Sequence, residues 1–321
     1  MNIQNTDGCG NQSLAANFIL LGFSDLPSVH QGWLSALFLS IYLVTLIGNA
    51  TIIFLVTFDT FLQTSMYFFL RSLSLLEICY TSVTLPKLLQ IFFLRDNHIS
   101  FLECAAQSYF FYTFGRAECF LLAFMSYDRY VAICMPLRYN MVMTKNFCVH
   151  LSVVPLADGL LEALVQTATI FSLPYYQLNI INHFFCDFLS VLDLSCKDTF
   201  GNEVLIWVCL ILFAFIPLVL VFISYIRILI SILGIRSTTG RMKVFSTCSS
   251  HLISVILFYG SGTFIYIRPK SSRQPASDKF LALLYTVITP MMNPLIYSLR
   301  NQEVKAALTK LITQCQRPYH E

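Results

Sequence analysis

The sequence has few charged residues. Asp, Glu, Lys and Arg make up 12% of its 321 residues, about half the share in a typical soluble domain. So few charges cannot cover a water-exposed surface, and 56% of the residues are apolar. The composition therefore excludes an ordinary soluble protein and indicates a membrane protein. A formal net charge of +3 is too small to indicate a nucleic-acid partner.

Several motifs are also absent. The eleven Cys residues form no C-x-x-C pair and no cluster with His at metal-ligand spacing. Neither an H-E-x-x-H motif nor a nucleophile with its base is evident, so the sequence predicts no enzyme and no catalytic residue. Residues 1–32 contain no Lys or Arg, and the apolar run FILLGF is too short for the core of a signal peptide. We therefore expect an uncleaved first span.

Long apolar runs dominate the rest of the chain. A spanning helix needs about 20 mainly apolar residues, and seven such runs are present. Only helices or closed barrels satisfy their backbone in lipid, and runs this long without alternation indicate helices. We predict an all-α membrane protein, a seven-transmembrane helix bundle with a short amphipathic C-terminal helix. The predicted spans cover residues 33–58, 66–89, 105–134, 147–173, 204–233, 243–267 and 279–297.

The Lys and Arg residues set the expected orientation. Eleven fall on the side that would carry the C-terminus and six on the other, which by the positive-inside rule places the N-terminus outside the cell. The sequon at Asn11 agrees, because it lies in the tail that would face the lumen. We predict an extracellular tail over residues 1–32, a seven-transmembrane domain over 33–300 and a cytoplasmic tail over 301–321. Within this last tail, QEVKAALTKLITQ has the spacing of an amphipathic helix on the inner leaflet.

Short polar motifs end several of the predicted spans. MSYDRYVAIC closes the third span, where Asp128 can hold Arg129 while the arginine stem lies along apolar surface. PMMNPLIYSLRN closes the seventh span, where Pro294 frees backbone groups and Asn293 and Tyr297 supply polar partners. Taken alone, Arg129 is typical of an interface arginine that reaches toward water.

Together with SMYFFL, SYIRI and KVFSTCSSH, these motifs make the chain resemble a vertebrate olfactory receptor of the rhodopsin-like family of G-protein-coupled receptors. The matching stretches cover nearly the whole chain. The resemblance implies a switch that helps to form a G-protein cleft on activation. Its residues here would be Asp128, Arg129, Tyr130, Tyr225, His251, Asn293, Pro294 and Tyr297. For His251, plain packing in the sixth helix is the alternative.

The resemblance also implies a disulfide bond. It would join Cys104, at the outer end of the third span, to Cys186 in the second outer loop. Relatives usually pair a second cysteine of that loop with one in LPFC after the fourth span, but here the sequence reads LPYY. Cys196 therefore lacks its usual partner. It is either a free thiol, which we favour, or is paired with Cys9 of the tail.

Two carboxylates lie inside predicted spans, Glu77 in the second and Glu118 in the third. Buried acids that face each other need a cation between them, or one of them stays protonated. The resemblance implies a sodium pocket completed by Asn49 and Asn293, and no other cofactor. The alternative is two separate hydrogen-bonded acids without an ion.

Arg116 is unusual, since relatives generally have a small residue before ECFLL. A lone charge at mid-bilayer costs about 2.5–3.5 kcal/mol, so we expect a partner. The fourth span offers Glu162 and, as second choice, Asp158, which share one helix face. In the competing interpretation Arg116 points into the ligand cavity and attracts an acidic odorant. A third interpretation is a poorly folding, relic-like receptor.

The resemblance implies a ligand pocket with many aromatic and few polar groups, which suits small, largely apolar volatile molecules. The implied function is odorant detection at the plasma membrane through a stimulatory olfactory G protein that raises cyclic AMP. Basic loop residues would contact that protein or anionic lipid. The matching pocket positions are Phe111, Tyr112, Gly115, Arg116, Cys209, Phe213, Tyr259, Gly262, Thr263, Tyr266, Leu283 and Thr286.

Two other functions fit the same sequence. A non-olfactory chemosensory receptor expressed in another tissue would carry the same motifs. An ion- or proton-coupled transporter would use the acids of the second, third and fourth spans as its path. The sequence has no internal repeat and no matching pair of broken helices, which argues against the common repeat-built transporters.

Overall fold

Long apolar helices make up most of the structure. The computed structural model describes residues 17–23, 27–175, 179–234, 237–267, 274–300 and 302–316. Eight long helices lie within these ranges. They are the first helix, Ser28–Phe58; the second, Ser65–Leu94; the third, Phe101–Cys134; the fourth, Lys145–Phe171; the fifth, Phe200–Gly234; the sixth, Thr238–Ile267; the seventh, running through Pro275–Leu283, Leu284–Ile288 and Thr289–Arg300; and the eighth, Gln302–Gln316.

The predicted membrane spans fall on the first seven helices. Six helices are individually long and apolar enough to cross a membrane, and the third helix with its bent continuation Pro136–Val142 brings the number to seven. The predicted span 147–173 overruns the end of the fourth helix at Phe171, because the chain turns there just before Pro174. The first helix begins at Ser28, ahead of the predicted residue 33, because helical turns continue beyond the apolar run that hydropathy detects.

Local signals explain where several helices begin. Ser100 and Glu103 form a reciprocal capping box at the start of the third helix, and Thr144 caps the fourth helix by accepting from the backbone N–H of Phe147. Two segments widen to a π-helix, Ile211–Phe215 in the fifth helix and Leu284–Ile288 in the seventh. No sequence signal marked these wider turns, which often occur at functional sites.

A small three-stranded sheet lies beside the bundle and was not predicted. Its strands are β1, Phe18–Leu20; β2, His98–Ile99; and β3, Ile180–Ile181. β1 lies in the centre, antiparallel to β2 and parallel to β3. Phe18 is fully buried and stacks on Phe101 of the third helix, with ring centroids 6.0 Å apart. Residues 18–20 of the predicted tail therefore belong to a packed layer.

The third and fourth helices approach each other closely. A Cβ at Gly159 would lie 3.0 Å from the carbonyl oxygen of Thr113, so only glycine allows this spacing. The close approach brings Glu162 of the fourth helix within reach of Arg116 on the third helix.

The predicted C-terminal helix is present as the eighth helix. Val304 and Ala307 are buried against the bundle, while Lys305 and Lys310 are exposed. Tyr67 of the second helix donates a hydrogen bond to Glu303 Oε2 over 2.5 Å and ties this helix to the bundle. The amphipathic pattern is confirmed at these positions.

Candidate functional site

One disulfide bond fixes a loop over the end of the bundle, which we call the disulfide end. Cys104 is bonded to Cys186, and this pairing confirms the expectation from the sequence. Ser108 donates to the carbonyl oxygen of Cys186 over 2.6 Å, and the backbone N–H of Cys186 donates to Gln107 Oε1 over 2.9 Å. The loop is therefore held to the third helix by both covalent and polar contacts.

The expectation of a free thiol at Cys196 is wrong. Cys196 is disulfide-bonded, and its partner is not among the described residues. Cys9, the alternative partner, also lies outside the described residues, as does the sequon at Asn11. The absence of the usual cysteine after the fourth span did not leave this thiol unpaired.

A cavity of about 110 Å³ opens among the second to seventh helices. Its wall is mainly aromatic and aliphatic. On the third helix its lining begins two turns after Cys104 and ends about three turns before Arg129, so it lies nearer the disulfide end. The lining residues are Tyr80, Phe111, Tyr112, Gly115, Arg116, Cys119, Gln166, Ile206, Cys209, Leu210, Phe213, Ala214, Phe258, Tyr259, Gly262, Thr263 and Tyr285.

Nine of the twelve predicted pocket positions line this cavity. Leu283 and Thr286 do not; Thr286 is buried and donates to the carbonyl oxygen of Ala282. The side chain of Tyr266 lies outside the described part of the structure. Sequence reasoning missed Tyr80, Cys119, Gln166, Ile206, Leu210, Ala214, Phe258 and Tyr285.

Helical spacing would have found some of the missed positions. Cys119 is one turn beyond Gly115, and Ile206 and Leu210 are one turn from Cys209 and Phe213. Gln166 and Tyr80 come from neighbouring helices, and nothing in their local sequence points to the cavity.

The loop with the disulfide bond closes over the cavity. Tyr112 donates to Asp187 Oδ1 over 2.7 Å and accepts from the backbone N–H of Phe188 over 3.2 Å. The rings of Tyr112 and Phe188 are parallel, with centroids 3.9 Å apart. Phe185 packs against Phe111, another lining residue, at 4.4 Å. The loop thus contacts the cavity lining directly.

Arg116 forms the expected ion pair and also lies in the cavity wall. Its Nη1 forms an ion pair with Glu162 Oε2 of the fourth helix, which was the first-choice partner. The guanidinium also lies over the rings of Tyr112 and Phe213, 5.5 and 5.7 Å from their centroids, and lines the cavity. Asp158, the second-choice partner, is exposed on the surface of the helix.

The two acids of the second and third helices form one buried cluster with two amides. Glu77 interacts with Glu118, Asn49 and Asn293, and Asn293 Nδ2 donates to Glu77 Oε1. All four residues are at most 1% exposed. Asn49 Nδ2 donates to the carbonyl oxygens of Thr45 and Pro290. The cluster thus joins the first, second, third and seventh helices.

Five oxygen atoms in this cluster have no hydrogen-bond donor within the described part of the chain. They are Glu77 Oε2, Glu118 Oε1 and Oε2, Asn49 Oδ1 and Asn293 Oδ1. Carboxylate and amide oxygens are the ligands of hard cations such as sodium, so this donor set fits the expected ion. The described residues contain no group of three or more His, Cys, Asp or Glu placed for a metal ion.

The third helix ends differently from the prediction. Asp128 Oδ1 accepts a hydrogen bond from the hydroxyl of Tyr139 over 2.9 Å. No ion pair joins Asp128 to Arg129 in the described ranges, where Arg116–Glu162 is the pair observed. Asp128 still interacts electrostatically with Arg129, and its contact to the short helix Tyr139–Val142 is an addition that the local motif did not predict.

Other predicted switch residues lie close together between the fifth, sixth and seventh helices. The Tyr225 hydroxyl is 2.7 Å from His251 Nδ1 and donates to the carbonyl oxygen of Cys248 over 3.3 Å. His251 is fully buried, as expected for packing in the sixth helix, and its contact with Tyr225 also gives it a polar partner. Tyr297 is 1% exposed, Tyr130 is half-buried, and Pro294 packs against Gly48 of the first helix.

Comparisons with known proteins agree with these observations. The family model described as "Olfactory receptor" matches residues 38–315. Human olfactory receptor 10C1 is 52% identical over 302 residues, covering 94% of this chain and 96% of the relative. Human olfactory receptor 10A7 is 48% identical over 306 residues, covering 95% and 96%. The crystal structure of squid rhodopsin superposes with a TM-score of 0.71 at 18% identity, covering 92% of this chain and 89% of rhodopsin, which supports the fold.

Proposed function

The chain belongs to the olfactory receptor family, a family of multi-pass G-protein-coupled receptors and not of enzymes, and from this we propose its ligand site and signalling route. It binds small, mostly apolar volatile molecules in the cavity among the second to seventh helices. Binding activates a stimulatory olfactory G protein and raises cyclic AMP. The family membership supports odorant detection in general; the location of the ligand and the type of G protein are our proposal.

The aromatic cavity carries this proposal. Its lining includes Phe111, Phe213 and Phe258 with few polar side chains, which suits an apolar ligand of small size. The loop of Cys186 contacts the lining at the disulfide end, and the switch residues lie toward the other end of the bundle. A ligand in the cavity would thus touch the helices that carry the switch.

Activation is a shift between two arrangements of the sixth helix. Tyr259 lines the cavity and donates to the backbone carbonyl oxygen of Cys119 on the third helix. Two and three turns further along the sixth helix, His251 and Cys248 contact Tyr225. An agonist that favours separation of the third and sixth helices moves the part of the sixth helix from Cys248 to Tyr259 as a rigid body. This movement exposes Arg129 to the G protein.

The N-terminus lies outside the cell in this proposal, and the eighth helix lies on the inner leaflet. Its buried Val304 and Ala307 face the bundle, and its exposed Lys305 and Lys310 are placed for anionic headgroups. An epitope tag at the N-terminus should be stained on intact cells. Staining only after permeabilisation would reverse the assigned orientation.

The buried acid cluster would hold a sodium ion through the oxygens of Glu77, Glu118, Asn49 and Asn293. A bound cation would offset the charge of two carboxylates that otherwise repel each other in an apolar interior. The cluster joins four helices at one point. A change in the relative positions of these helices would therefore change the geometry of the cluster.

A screen tests the proposal. Cells expressing the tagged receptor are exposed to a panel of apolar volatiles while cyclic AMP is recorded, with surface staining as the control for expression. A ligand-dependent rise without ion flux is expected. Ligand-dependent current in cells that lack other channels, with no cyclic AMP response, would favour the transporter alternative instead.

A further inference from the structure

One wall of the cavity is polar, and its members come from the third and fourth helices. Arg116 and Gln166 both line the cavity, and Gln166 is 2% exposed. Gln166 Nε2 has no hydrogen-bond partner among the residues that the structure describes. Its polar neighbour, the thiol of Cys209, is only a weak acceptor. A buried amide N–H without an acceptor is costly, so a ligand that supplies one gains affinity.

The charge of Arg116 is already balanced. Glu162 forms the ion pair with Nη1, and two aromatic rings lie beneath the guanidinium. A carboxylate ligand would place a second anion beside this single cation, in a site that excludes water, and would have to displace Glu162. The remaining guanidinium N–H groups still donate hydrogen bonds. Arg116 therefore offers donors without offering net charge.

Two tyrosine hydroxyls of the cavity lining are occupied. Tyr112 donates to Asp187, and Tyr259 donates to the carbonyl oxygen of Cys119. Gln166 Nε2 and the guanidinium of Arg116 are N–H donors, so a ligand that matches this wall supplies an acceptor. An ammonium group carries only donors and would face the N–H groups of Gln166 and Arg116, which disfavours amines.

From these contacts we infer that the receptor selects small neutral volatiles with a carbonyl oxygen, such as ketones, aldehydes and esters, which accept from Gln166 Nε2 and Arg116. The inference rests on the proposed function, because it assumes that the cavity is the ligand site. It names the ligand class that this wall of the cavity prefers. The apolar remainder of the cavity holds the hydrocarbon part of the same molecule.

Four probes of nearly equal size test the inference in cells with cyclic AMP readout and surface staining. They are 2-octanone, 2-methyl-1-octene, octylamine and octanoate. The alkene replaces the carbonyl oxygen by a methylene group and keeps the shape. We expect 2-octanone to be the most potent, by at least about tenfold over the alkene, since one hydrogen bond to a neutral donor and one to a charged donor are lost.

Substitution of Gln166 should remove part of this preference. Gln166→Leu should raise the half-maximal concentration of 2-octanone about fivefold and leave the response to the alkene unchanged. Thr167→Val, next to Gln166 on the fourth helix and outside the cavity lining, is the matched control and should keep the ketone preference intact. If Gln166→Leu reaches the surface poorly, Gln166→Met supplies the same test.

Different failures have different meanings. Equal potency of the ketone and the alkene, or greatest potency of octanoate, would overturn the inference while leaving the cavity as the ligand site. Retention of the full ketone preference in the Gln166 variants would also overturn it. If surface-expressed receptor answers to none of the four probes and to no member of the wider panel, the proposed function itself fails, and the inference with it.

Discussion

Tyr259 on the sixth helix donates a hydrogen bond from its hydroxyl to the backbone carbonyl oxygen of Cys119 on the third helix, over 2.7 Å. Both residues line the cavity, and Tyr259 is 4% exposed. The contact therefore joins the ligand site to the helix that must move on activation. It also holds the two helices together when the cavity has no ligand.

Loss of this hydrogen bond should raise the basal activity. Tyr259→Phe keeps the ring and removes the hydroxyl, which weakens the closed arrangement by about 1 kcal/mol and shifts the resting equilibrium about fivefold. Cyclic AMP without agonist, corrected for surface expression, is the measurement. Tyr109→Phe, on the third helix and outside the cavity lining, is the matched control and should leave the basal level unchanged. An equal basal level in the two variants would show that this hydrogen bond does not control activation.

The ion pair between Arg116 and Glu162 should show strong coupling. Removing either partner leaves a buried charge and should lower the free energy of unfolding by about 3 kcal/mol, whereas removing both should cost less than the two single losses added together. Thermal unfolding and surface expression of Arg116→Ala, Glu162→Ala and the double variant measure this. Asp158→Ala, at an exposed site on the same helix, should have a small effect. Additive losses would contradict the pair.

His183 should make the loop over the cavity sensitive to acid. Burial, with nearby Lys279, lowers the pKa of His183 to about 4, while Asp187 opposes the shift. The unfolded chain takes up this proton as the pH falls through about 6.5, whereas the native loop does not until about 4. The free energy of unfolding should therefore decrease as the pH falls from about 6.5 to about 4.

Thermal unfolding in detergent at pH 7 and pH 5 checks the contribution of His183. His183→Gln should show a smaller decrease than the unsubstituted chain, and His98→Gln, at an exposed site in β2, should not differ from it. Equal decreases in the unsubstituted chain and the His183 variant would show that other groups cause the acid sensitivity.

The buried acid cluster predicts a sodium effect on signalling. If sodium binds there, agonist potency should differ between sodium and an organic-cation buffer, and Glu77→Ala should abolish the difference because the ligand oxygen Oε2 and the carboxylate charge are lost. Glu203→Ala, on the fifth helix, is the control and should keep the difference in potency between the two buffers. A sodium effect that persists in Glu77→Ala would place the ion elsewhere.

The helices were predictable because lipid accepts few alternatives to an apolar helix. The sequence also led to the disulfide of Cys104 and, through the cost of a lone charge, to the pairing of Arg116 with Glu162. The argument for the Arg116 pair needed only residue types and spacing, whereas the disulfide was implied by the resemblance to a family. The resemblance to a family added the positions of the cavity and the switch.

Other features depended on tertiary contacts that no local pattern reveals. The strand Phe18–Leu20 forms because two distant segments offer it backbone partners. Asp128 contacts Tyr139 because the chain bends after the third helix, and Gln166 reaches the cavity because Gly159 lets two helices approach closely. The π-helical turns in the fifth and seventh helices have no sequence signature of their own.

Two glycines of the sixth helix give the most direct test of the central claim that the cavity is the ligand site. A Cβ at Gly262 or at Gly260 would meet no atom within 4 Å, but Gly262 lines the cavity and Gly260 is exposed on the outer face. Gly262→Leu should fill the cavity and abolish the cyclic AMP response to an agonist of the native receptor, whereas Gly260→Leu should keep it at equal surface expression. An unchanged response of Gly262→Leu would contradict the account.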